Sequence, residues 1–312
     1  MADGVENEVL LSDEILEAKA KQECLATIKE WSELTADDLK VRASHGITNK
    51  VFIVTNEKTS PKGVIFRVLN TFLEKMIHRD DEKNLFLALG ESGLGPKCLL
   101  MKGFYRFEEF YDAEMVQPEQ LVQTKVLKQV ADELYKFHQF QFDFQDKTMY
   151  IEKVFKKWSK LAVDKCYARY DQFNEREREH LDYLRKMIDP EFINEALTVL
   201  PHNGRIASCC HNDLLNGNML ILRETGEMKF IDFEYSCPSY VVGDIANFMA
   251  EAMFDYSHNE FPYYKMDPSR LFSTEKQREF LELYFANEAF ESEEAKNREI
   301  EEALKQIPLF VA

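Results

Sequence analysis

Basic residues are scarce in this 312-residue chain: 39 Lys and Arg stand against 56 Asp and Glu, a formal net charge of −17 at pH 7. A nucleic acid or an anionic membrane surface requires a basic face, so both classes of partner are disfavoured. No apolar run approaches the roughly 18 residues that a membrane-spanning helix needs. The acidic segment 1–14 lacks the basic region of a secretory signal, and no such signal is predicted.

Cysteine is also scarce and shows no metal-binding or redox pattern. The six cysteines form no C-x-x-C pair, and Cys209 and Cys210 stand together in an apolar run that predicts a buried strand. We therefore expect free thiols and a cytoplasmic location. Internal repeats and low-complexity segments are absent, and 45% hydrophobic with 30% charged residues is typical of a globular protein.

The pattern of elements changes near residue 112. Before it, apolar runs predict strands, then a helix over 80–92 and a hairpin around Lys102-Gly103; the predicted strands are 39–43, 51–55 and 64–69. After it, helical spacing dominates, with helices expected over 151–172, 176–188 and 240–256. The chain is therefore predicted to be α+β with a bilobal protein-kinase-like fold. A small β-rich N-lobe spans 1–112, and a larger, mainly helical C-lobe spans 113–312.

One segment combines the groups that phosphoryl transfer requires. Asn218 follows Asp213 by five residues, and Asp232 comes after a predicted hairpin. Such chemistry needs a carboxylate facing the nucleophilic hydroxyl, with an amide and a carboxylate that hold Mg²⁺ on the nucleotide phosphates. Asn218 and Asp232 lie symmetrically about Thr225, so a regular hairpin would place them opposite each other, with Cβ atoms roughly 5 Å apart. Asp213, Asn218 and Asp232 are the predicted catalytic residues, the last two as Mg²⁺ ligands.

A similar triplet, His78-Arg79-Asp80, has Leu85 rather than Asn five residues after its aspartate, and it lies in a helix-like stretch. We interpret it as solvated surface. A metal-dependent phosphoesterase, with His211, Asp213 and Asp232 on a metal, is an alternative hypothesis. The absence of a richer His/Asp cluster disfavours it.

The chain resembles the choline/ethanolamine kinase family. The resemblance is carried by Cys210-His211-Asn212-Asp213 with Gly217-Asn218, by Ile231-Asp232-Phe233-Glu234-Tyr235-Ser236, and by Gly243-Asp244-Ile245-Ala246-Asn247 with Glu251. It implies an ATP- and Mg²⁺-dependent kinase that phosphorylates ethanolamine, choline or both, at the first step of CDP-amine phospholipid synthesis. It also allows a homodimer. The alternatives are an aminoglycoside-phosphotransferase-like kinase, or a catalytically impaired nucleotide-binding member that acts through partners.

The resemblance also implies individual roles. Asp213 would orient or deprotonate the substrate hydroxyl, and Glu251 and Tyr256 would face the amine. The implied nucleotide contacts are Gly46, Thr48 and Asn49 in a loop over the phosphates, Arg67 on the phosphates with Glu82 as its partner, and Glu109 and Tyr111 in a hinge that meets adenine. Asp244 would brace the catalytic loop, and His211 would be structural rather than a base.

The substrate preference stays open because the subfamily signals conflict. Gly46-Ile47-Thr48-Asn49-Lys50 resembles ethanolamine kinases, whereas Met253-Phe254-Asp255-Tyr256-Ser257 resembles choline kinases. Tryptophan is scarce, and Trp31 and Trp158 both precede the catalytic segment. The tryptophan-rich C-terminal helices that line the choline pocket in the family are therefore missing from this sequence.

Overall fold

The computed structural model of the protein describes residues 11–45, 49–70, 76–258 and 263–311. The chain divides into two units. The first comprises Met1–Glu114 with Leu222–Gly226, and the second comprises Met115–Ile221 and Glu227–Ala312. A sheet dominates the first unit and helices dominate the second, which agrees with the α+β class predicted from the sequence.

The first unit is built on a five-stranded antiparallel sheet. Its elements are α1 (Asp13–Thr27), β1 (Lys40–His45), β2 (Lys50–Thr55), β3 (Gly63–Val68), α2 (Arg79–Ser92), β4 (Cys98–Lys102), β5 (Tyr105–Glu109) and β6 (Ala113–Met115), which spans the division between the units. The strands pair in the order β1-β2-β3-β5-β4. Phe52, Phe66 and Phe107 come from three neighbouring strands and are fully buried in one core with residues of α1. This core fixes the strands that carry Arg67 and Glu109.

The second unit is mainly helical. Its first part contains α3 (Thr124–Gln139), α4 (Tyr150–Glu152), α5 (Ser159–Lys165), α6 (Glu175–Arg185), α7 (Pro190–Thr198) and β7 (Ile206–Cys210). Its second part contains β8 (Met219–Leu222), β9 (Met228–Phe230), β10 (Cys237–Tyr240), α8 (Val241–Glu251), β11 (Phe254–Asp255), β12 (Lys265–Met266), α9 (Thr274–Phe285), α10 (Glu293–Gln306) and α11 (Pro308–Val311). α3 buries its apolar face at helical spacing. None of the helices described is long and apolar enough to cross a membrane.

Two helices predicted from the sequence are interrupted. The segment expected to be helical over 151–172 contains a π-helical turn at Lys153–Trp158 and a 3₁₀ stretch at Tyr167–Gln172. The helix expected over 240–256 ends at Glu251, because Phe254 pairs with Met266 in a short antiparallel ladder. Tyr256 therefore follows a strand and does not lie on the helix that carries Glu251.

Candidate active site

The loop that carries Asp213 is held by two side chains of α8, one helical turn apart. The Asp244 carboxylate accepts hydrogen bonds from the backbone N–H groups of His211, at 2.6 Å, and Asn212, at 2.7 Å. Asn247 Oδ1 accepts one from the N–H of Leu214 at 2.7 Å. Asp213 is thus held in place from both sides along the chain, and Asp244 has the bracing role expected for it.

Asn212, which precedes Asp213, adopts a left-handed backbone with a φ of 63°. Asparagine tolerates this region better than most residues because its short side chain can bond locally. Its Nδ2 donates to the carbonyl oxygens of Cys210 and Tyr235, both at 3.1 Å. The turn is therefore stabilised by its own side chain as well as by Asp244.

Asn218 lies in a 3₁₀ turn and contacts Asp213 directly. Its Nδ2 donates to Asp213 Oδ2 at 3.0 Å and to the Asp213 carbonyl oxygen at 2.9 Å. Both of these bonds use the amide nitrogen, so the amide oxygen is the atom available to a cation. The structure therefore brings together two of the residues that the sequence predicted as catalytic.

The hairpin register differs from the one predicted by one residue. Met219 pairs with Phe230, so Asn218 lies opposite Ile231, whose N–H donates to the Asn218 carbonyl at 3.0 Å. The predicted direct pairing of Asn218 with Asp232 is wrong. Gly226, at a φ of 72°, donates its N–H to Leu222 O at 2.8 Å and closes the turn earlier than the symmetric pairing requires.

Asp232 lies beyond β9 and has a left-handed backbone with a φ of 67°. A one-residue slip in a regular strand would turn its side chain to the other face of the sheet. Because Asp232 has left the strand, that alternation does not govern its direction. It lies close enough to Asp213 to affect the pKa of that carboxyl. A non-glycine residue in this conformation is strained, and such strain often marks a functional site.

His211 is fully buried and structural. Its Nε2–H donates to the carbonyl oxygen of Ile231 at 3.0 Å, and burial lowers the pKa of the imidazole. The ring packs against Phe233, with centroids 5.5 Å apart, and Phe233 stacks on Phe137 of α3. His211 therefore fixes the backbone immediately before Asp232, as a neutral ring rather than as a base.

Three neighbouring carboxylates act on Asp213. Burial, followed by the charges of Asp232, Glu251 and Glu234, raises the pKa of Asp213 to about 7. A carboxyl with such a pKa is a competent proton acceptor near neutral pH. Clustered acids also repel one another, and a bound cation would relieve that repulsion.

Glu251 and Tyr256, which the sequence predicted as substrate residues, are in contact. The Tyr256 hydroxyl donates to Glu251 Oε2 at 2.8 Å, and burial raises the pKa of Glu251. Phe254 stacks on Tyr256 with centroids 6.0 Å apart, and Tyr264 meets Phe254 edge-on at 5.5 Å. A carboxylate beside aromatic faces suits an ammonium group. Phe254 and Tyr264 were not predicted, since their contact depends on the pairing of β11 with β12, which leaves no simple sequence pattern.

A second aromatic group, Tyr150, Trp158 and Tyr235, was also missed by the sequence analysis. Trp158 meets the rings of Tyr150 and Tyr235 edge-on at 5.8 Å and 5.6 Å. Burial and, next, the charge of Asp213 raise the pKa of Tyr150. The indole Nε1 is buried and has no hydrogen-bond partner among the described residues. The π-helical turn that ends at Trp158 is the local feature that places this indole, and such turns are frequent at functional sites.

In the first unit, Arg67 belongs to a buried chain of alternating charges. Arg67 Nε donates to Glu108 Oε1 at 2.6 Å, and Arg106 Nε donates to the same oxygen at 2.8 Å. Glu82 on α2 accepts from Arg106 Nη1 at 2.5 Å. In place of the predicted Arg67–Glu82 pair, the ion pairs run from Arg67 through Glu108 and Arg106 to Glu82. Arg67 and Arg106 face each other in neighbouring strands, and a carboxylate between them offsets their repulsion.

The structure describes some, but not all, of the other residues predicted to bind the nucleotide. Gly46 and Thr48 lie outside the described residues. Asn49 is buried, and its Oδ1 accepts from the N–H of Asn70 at 3.0 Å. Glu109 ends β5, where its Oε2 accepts from the N–H of Lys97 at 3.1 Å, and Tyr111 follows two residues later.

The triplet His78-Arg79-Asp80 begins α2. His78 and Asp80 are exposed, as the surface interpretation expects, and His78 caps the helix by accepting from the N–H of Asp81 at 3.4 Å. Arg79 differs: it is part-buried and donates to the carbonyl oxygen of Asn70 at 2.5 Å. This triplet thus has a structural role at the start of a helix.

Comparison with known proteins places the chain in a family. Residues 41–312 match the family model for choline/ethanolamine kinase. The chain belongs to the choline/ethanolamine kinase family. Among relatives, it is 27% identical to "Probable choline kinase 2" of Arabidopsis thaliana, over 91% of this chain and 79% of that protein. It is 25% identical to the choline/ethanolamine kinase of Homo sapiens, over 88% and 70%. The chain is therefore a kinase of this family.

Solved structures show the same fold. An ethanolamine kinase from Plasmodium vivax superposes with a TM-score of 0.75 at 21% identity, covering 99% of this chain and 82% of that one. An aminoglycoside phosphotransferase from Streptomyces rimosus gives a TM-score of 0.51 at 14% identity, covering 93% and 98%. The protein-kinase-like fold predicted from the sequence is thus confirmed.

Proposed function

We propose that the protein transfers the γ-phosphoryl group of ATP, as its Mg²⁺ complex, to the hydroxyl of ethanolamine, choline or both. The observation that carries this proposal is the grouping around Asp213. A proton acceptor with a pKa of about 7, an amide that contacts it through its nitrogen and a carboxylate flanked by aromatic rings all belong to one group of residues. This reaction would provide the phosphorylated amine for CDP-amine phospholipid synthesis.

The residues present fit a magnesium ion. Asn218 Oδ1 and the Asp232 carboxylate are hard oxygen donors, and Mg²⁺ commonly takes one or two carboxylates together with substrate phosphates. These two side chains would hold the ion, which would neutralise charge on the phosphates when bound. The raised pKa of Asp213 is consistent with a site built to receive positive charge.

Asp213 accepts the proton of the substrate hydroxyl in this proposal. Asn218 keeps its carboxylate oriented through the contact with Oδ2, while Asp244 and Asn247 keep the backbone on either side in place. Positioning and charge stabilisation supply most of the acceleration in phosphoryl transfer. The many contacts that hold this short loop therefore have a direct catalytic consequence.

We assign nucleotide binding to residues of the N-lobe, 1–112. Gly46, Thr48 and Asn49 would cover the phosphates, and Arg67 would contact them. Glu109 and Tyr111 would meet the adenine. Arg67 shares Glu108 with Arg106, so Glu108 keeps a cationic partner when Arg67 engages an anion. The C-lobe, 113–312, would carry the chemistry and the amino-alcohol site.

Glu251 and Tyr256 would bind the ammonium group. A primary ammonium has three N–H donors that suit the Glu251 carboxylate, whereas a quaternary ammonium relies on aromatic faces. Phe254, Tyr256 and Tyr264 beside Glu251 provide both kinds of contact. The arrangement is therefore compatible with either amine.

The test is ADP release with Mg-ATP and a panel of ethanolamine, choline and an aminoglycoside. We expect release with at least one of the two amino alcohols, well above the background without acceptor. Release with the aminoglycoside alone would favour the alternative kinase class. Background release with all three would contradict the proposal.

A further inference from the structure

Behind the Asp213 loop, three buried side chains form a hydrogen-bonded chain that crosses three helices. Tyr284 of α9 contacts His138 Nδ1 of α3 at 2.8 Å, and His138 Nε2 contacts Asp244 Oδ2 of α8 at 3.1 Å. His138, Asp244 and Tyr284 are all buried. Asp244 in turn accepts the backbone N–H groups of His211 and Asn212. Through Asp244, the chain ends next to Asp213.

The same place brings together His138, Cys210 and Asp244, a set of residue types that can bind a metal. The hydrogen bonds argue against a metal site. Both ring nitrogens of His138 and both carboxylate oxygens of Asp244 already have partners. Burial raises the pKa of the Cys210 thiol far above its usual range, and a protonated thiol is a poor ligand. The cluster is better explained as a hydrogen-bond network.

The hydrogen bonds indicate which ring nitrogen of His138 is the donor. Asp244 accepts hydrogen bonds from two backbone N–H groups. The pKa of its carboxyl is lowered although burial opposes this, so the carboxyl is ionised. His138 Nε2 therefore carries the hydrogen that it donates to Asp244. His138 Nδ1 then accepts from the Tyr284 hydroxyl, which selects this tautomer.

We propose that His138 and Tyr284 are positioning residues for the phosphoryl-transfer reaction, acting on the Asp213 loop through Asp244. His138 supplies the third donor to the Asp244 carboxylate and fixes its rotation, so that its two oxygens meet two successive backbone N–H groups. Tyr284 fixes the tautomer and the orientation of the ring. Their loss should loosen the loop and lower kcat, while the KM values for ATP and the amine change little. This inference rests on the proposed function only for its kinetic readout.

Two amide substitutions at His138 separate positioning from packing. In His138→Gln, the amide nitrogen can take the place of Nε2 and donate to Asp244. In His138→Asn, the shorter side chain can replace only the Nδ1 position, beside Tyr284. Both are neutral and differ by one methylene. A displacement of about 1 Å can cost on the order of a hundredfold in rate. We expect His138→Asn to lower kcat at least about tenfold, and His138→Gln to retain most of it.

Tyr284→Phe is the second variant, since it keeps the ring contacts with Tyr135 and Phe285 and removes only the hydroxyl. It should lower kcat several-fold at nearly constant KM. His180→Gln, at an exposed position on α6, is the matched control and should change nothing. Equal kcat in His138→Gln and His138→Asn, or an unchanged kcat in Tyr284→Phe, would overturn the inference.

Hydrogen exchange provides a readout that does not need activity. The His211 and Asn212 amides should exchange slowly in the wild type and in His138→Gln, and faster in His138→Asn. Equal exchange in the two variants would contradict the positioning role. If the wild-type protein phosphorylates neither amine, the proposed function fails, and the exchange comparison still decides this inference.

Discussion

At the scale of single residues, the central feature is one carboxyl with an unusual charge environment. Asp213 is held by Asn218 and lies near Asp232, Glu234 and Glu251. Burial and these neighbours both favour its protonated form. The environment that makes Asp213 a suitable proton acceptor therefore also means that its ionised form destabilises the folded state when no cation is bound.

Asp213→Asn should keep nucleotide binding and lose most turnover. The substitution retains the size and most contacts of the side chain but removes the acceptor for the hydroxyl proton. Removal of a general base typically costs about two to four orders of magnitude in kcat. Steady-state kinetics together with nucleotide-binding calorimetry would check this. Asp80→Asn, at an exposed position, is the matched control. A near-normal kcat in Asp213→Asn would rule out the proposed role of Asp213.

Asp213 should also affect stability in a pH-dependent way. Its folded pKa of about 7 lies above the unfolded value near 3.8, so the folded state holds the proton more tightly. Stability is therefore lost as pH rises from about 4 to about 7, and the penalty is complete above that range. Without metal or nucleotide, Asp213→Asn should be more stable than the wild type at pH 8, by at most about 4 kcal/mol. The difference should vanish near pH 4.

Urea unfolding at pH 4.5, 6 and 8 would measure this effect. Addition of Mg²⁺ and nucleotide at pH 8 should shrink the gap, because a bound cation offsets the repulsion among the carboxylates. If Asp213→Asn is less stable than the wild type at pH 8, the neighbouring carboxylates do not destabilise ionised Asp213, and the prediction is wrong.

At the scale of elements, the sequence was informative where a pattern is local. The helix over 80–92, the strands of the first unit and the segment from Asp213 to Asn218 with its hairpin are local patterns, and each appears in the structure. The Asn218–Asp232 register could not be predicted in the same way. It depends on the left-handed Gly226 in the turn, which the apolar pattern of the two strands does not reveal.

Contacts between distant segments were also beyond the sequence. Glu82 and Arg67 were expected to pair by resemblance to the choline/ethanolamine kinase family, but Arg106 and Glu108 stand between them. The indole of Trp158 contacts Tyr235 across more than 70 residues of chain. Contacts of this kind depend on the packing of whole elements, and the spacing of residues along the sequence does not predict them.

Glu251→Ala should raise the KM for the amine much more than the KM for ATP. Glu251 ends α8, and its carboxylate is the one that contacts Tyr256. Loss of the carboxylate beside a partly desolvated ammonium costs about 2 to 5 kcal/mol. Ethanolamine should suffer more than choline, since its N–H donors lose their acceptor. Kinetics with both amines at saturating ATP would test this, and KM values within twofold of wild type would place the cation elsewhere.

Glu108→Gln should destabilise the protein strongly. Glu108 is buried between Arg67 and Arg106, and removing its charge leaves two guanidinium groups in neighbouring strands with less compensation. Breaking a buried ion pair typically costs about 3 to 5 kcal/mol. Glu57→Gln is the matched control, because its pair with Lys40 is exposed. An effect as small as in this control would mean that the Arg67 network contributes little.

At the scale of the whole molecule, the net charge of −17 is compatible with the small cationic substrate proposed above. A strongly acidic protein does not favour polyanionic partners, whereas a small cation is compatible with it. The proposed roles are distributed over the chain, with nucleotide contacts in the first unit and the chemistry in the second.

The most direct test of the central claim is to follow the reaction of Mg-ATP with ethanolamine, and separately with choline, by ³¹P NMR. The wild-type protein should convert ATP and amine into ADP and a phosphorylated amine in equal amounts, only when Mg²⁺ is present. Asp213→Asn should form almost none. ATP consumption that yields inorganic phosphate in place of a phosphorylated amine, or equal product from the wild type and Asp213→Asn, would contradict the account.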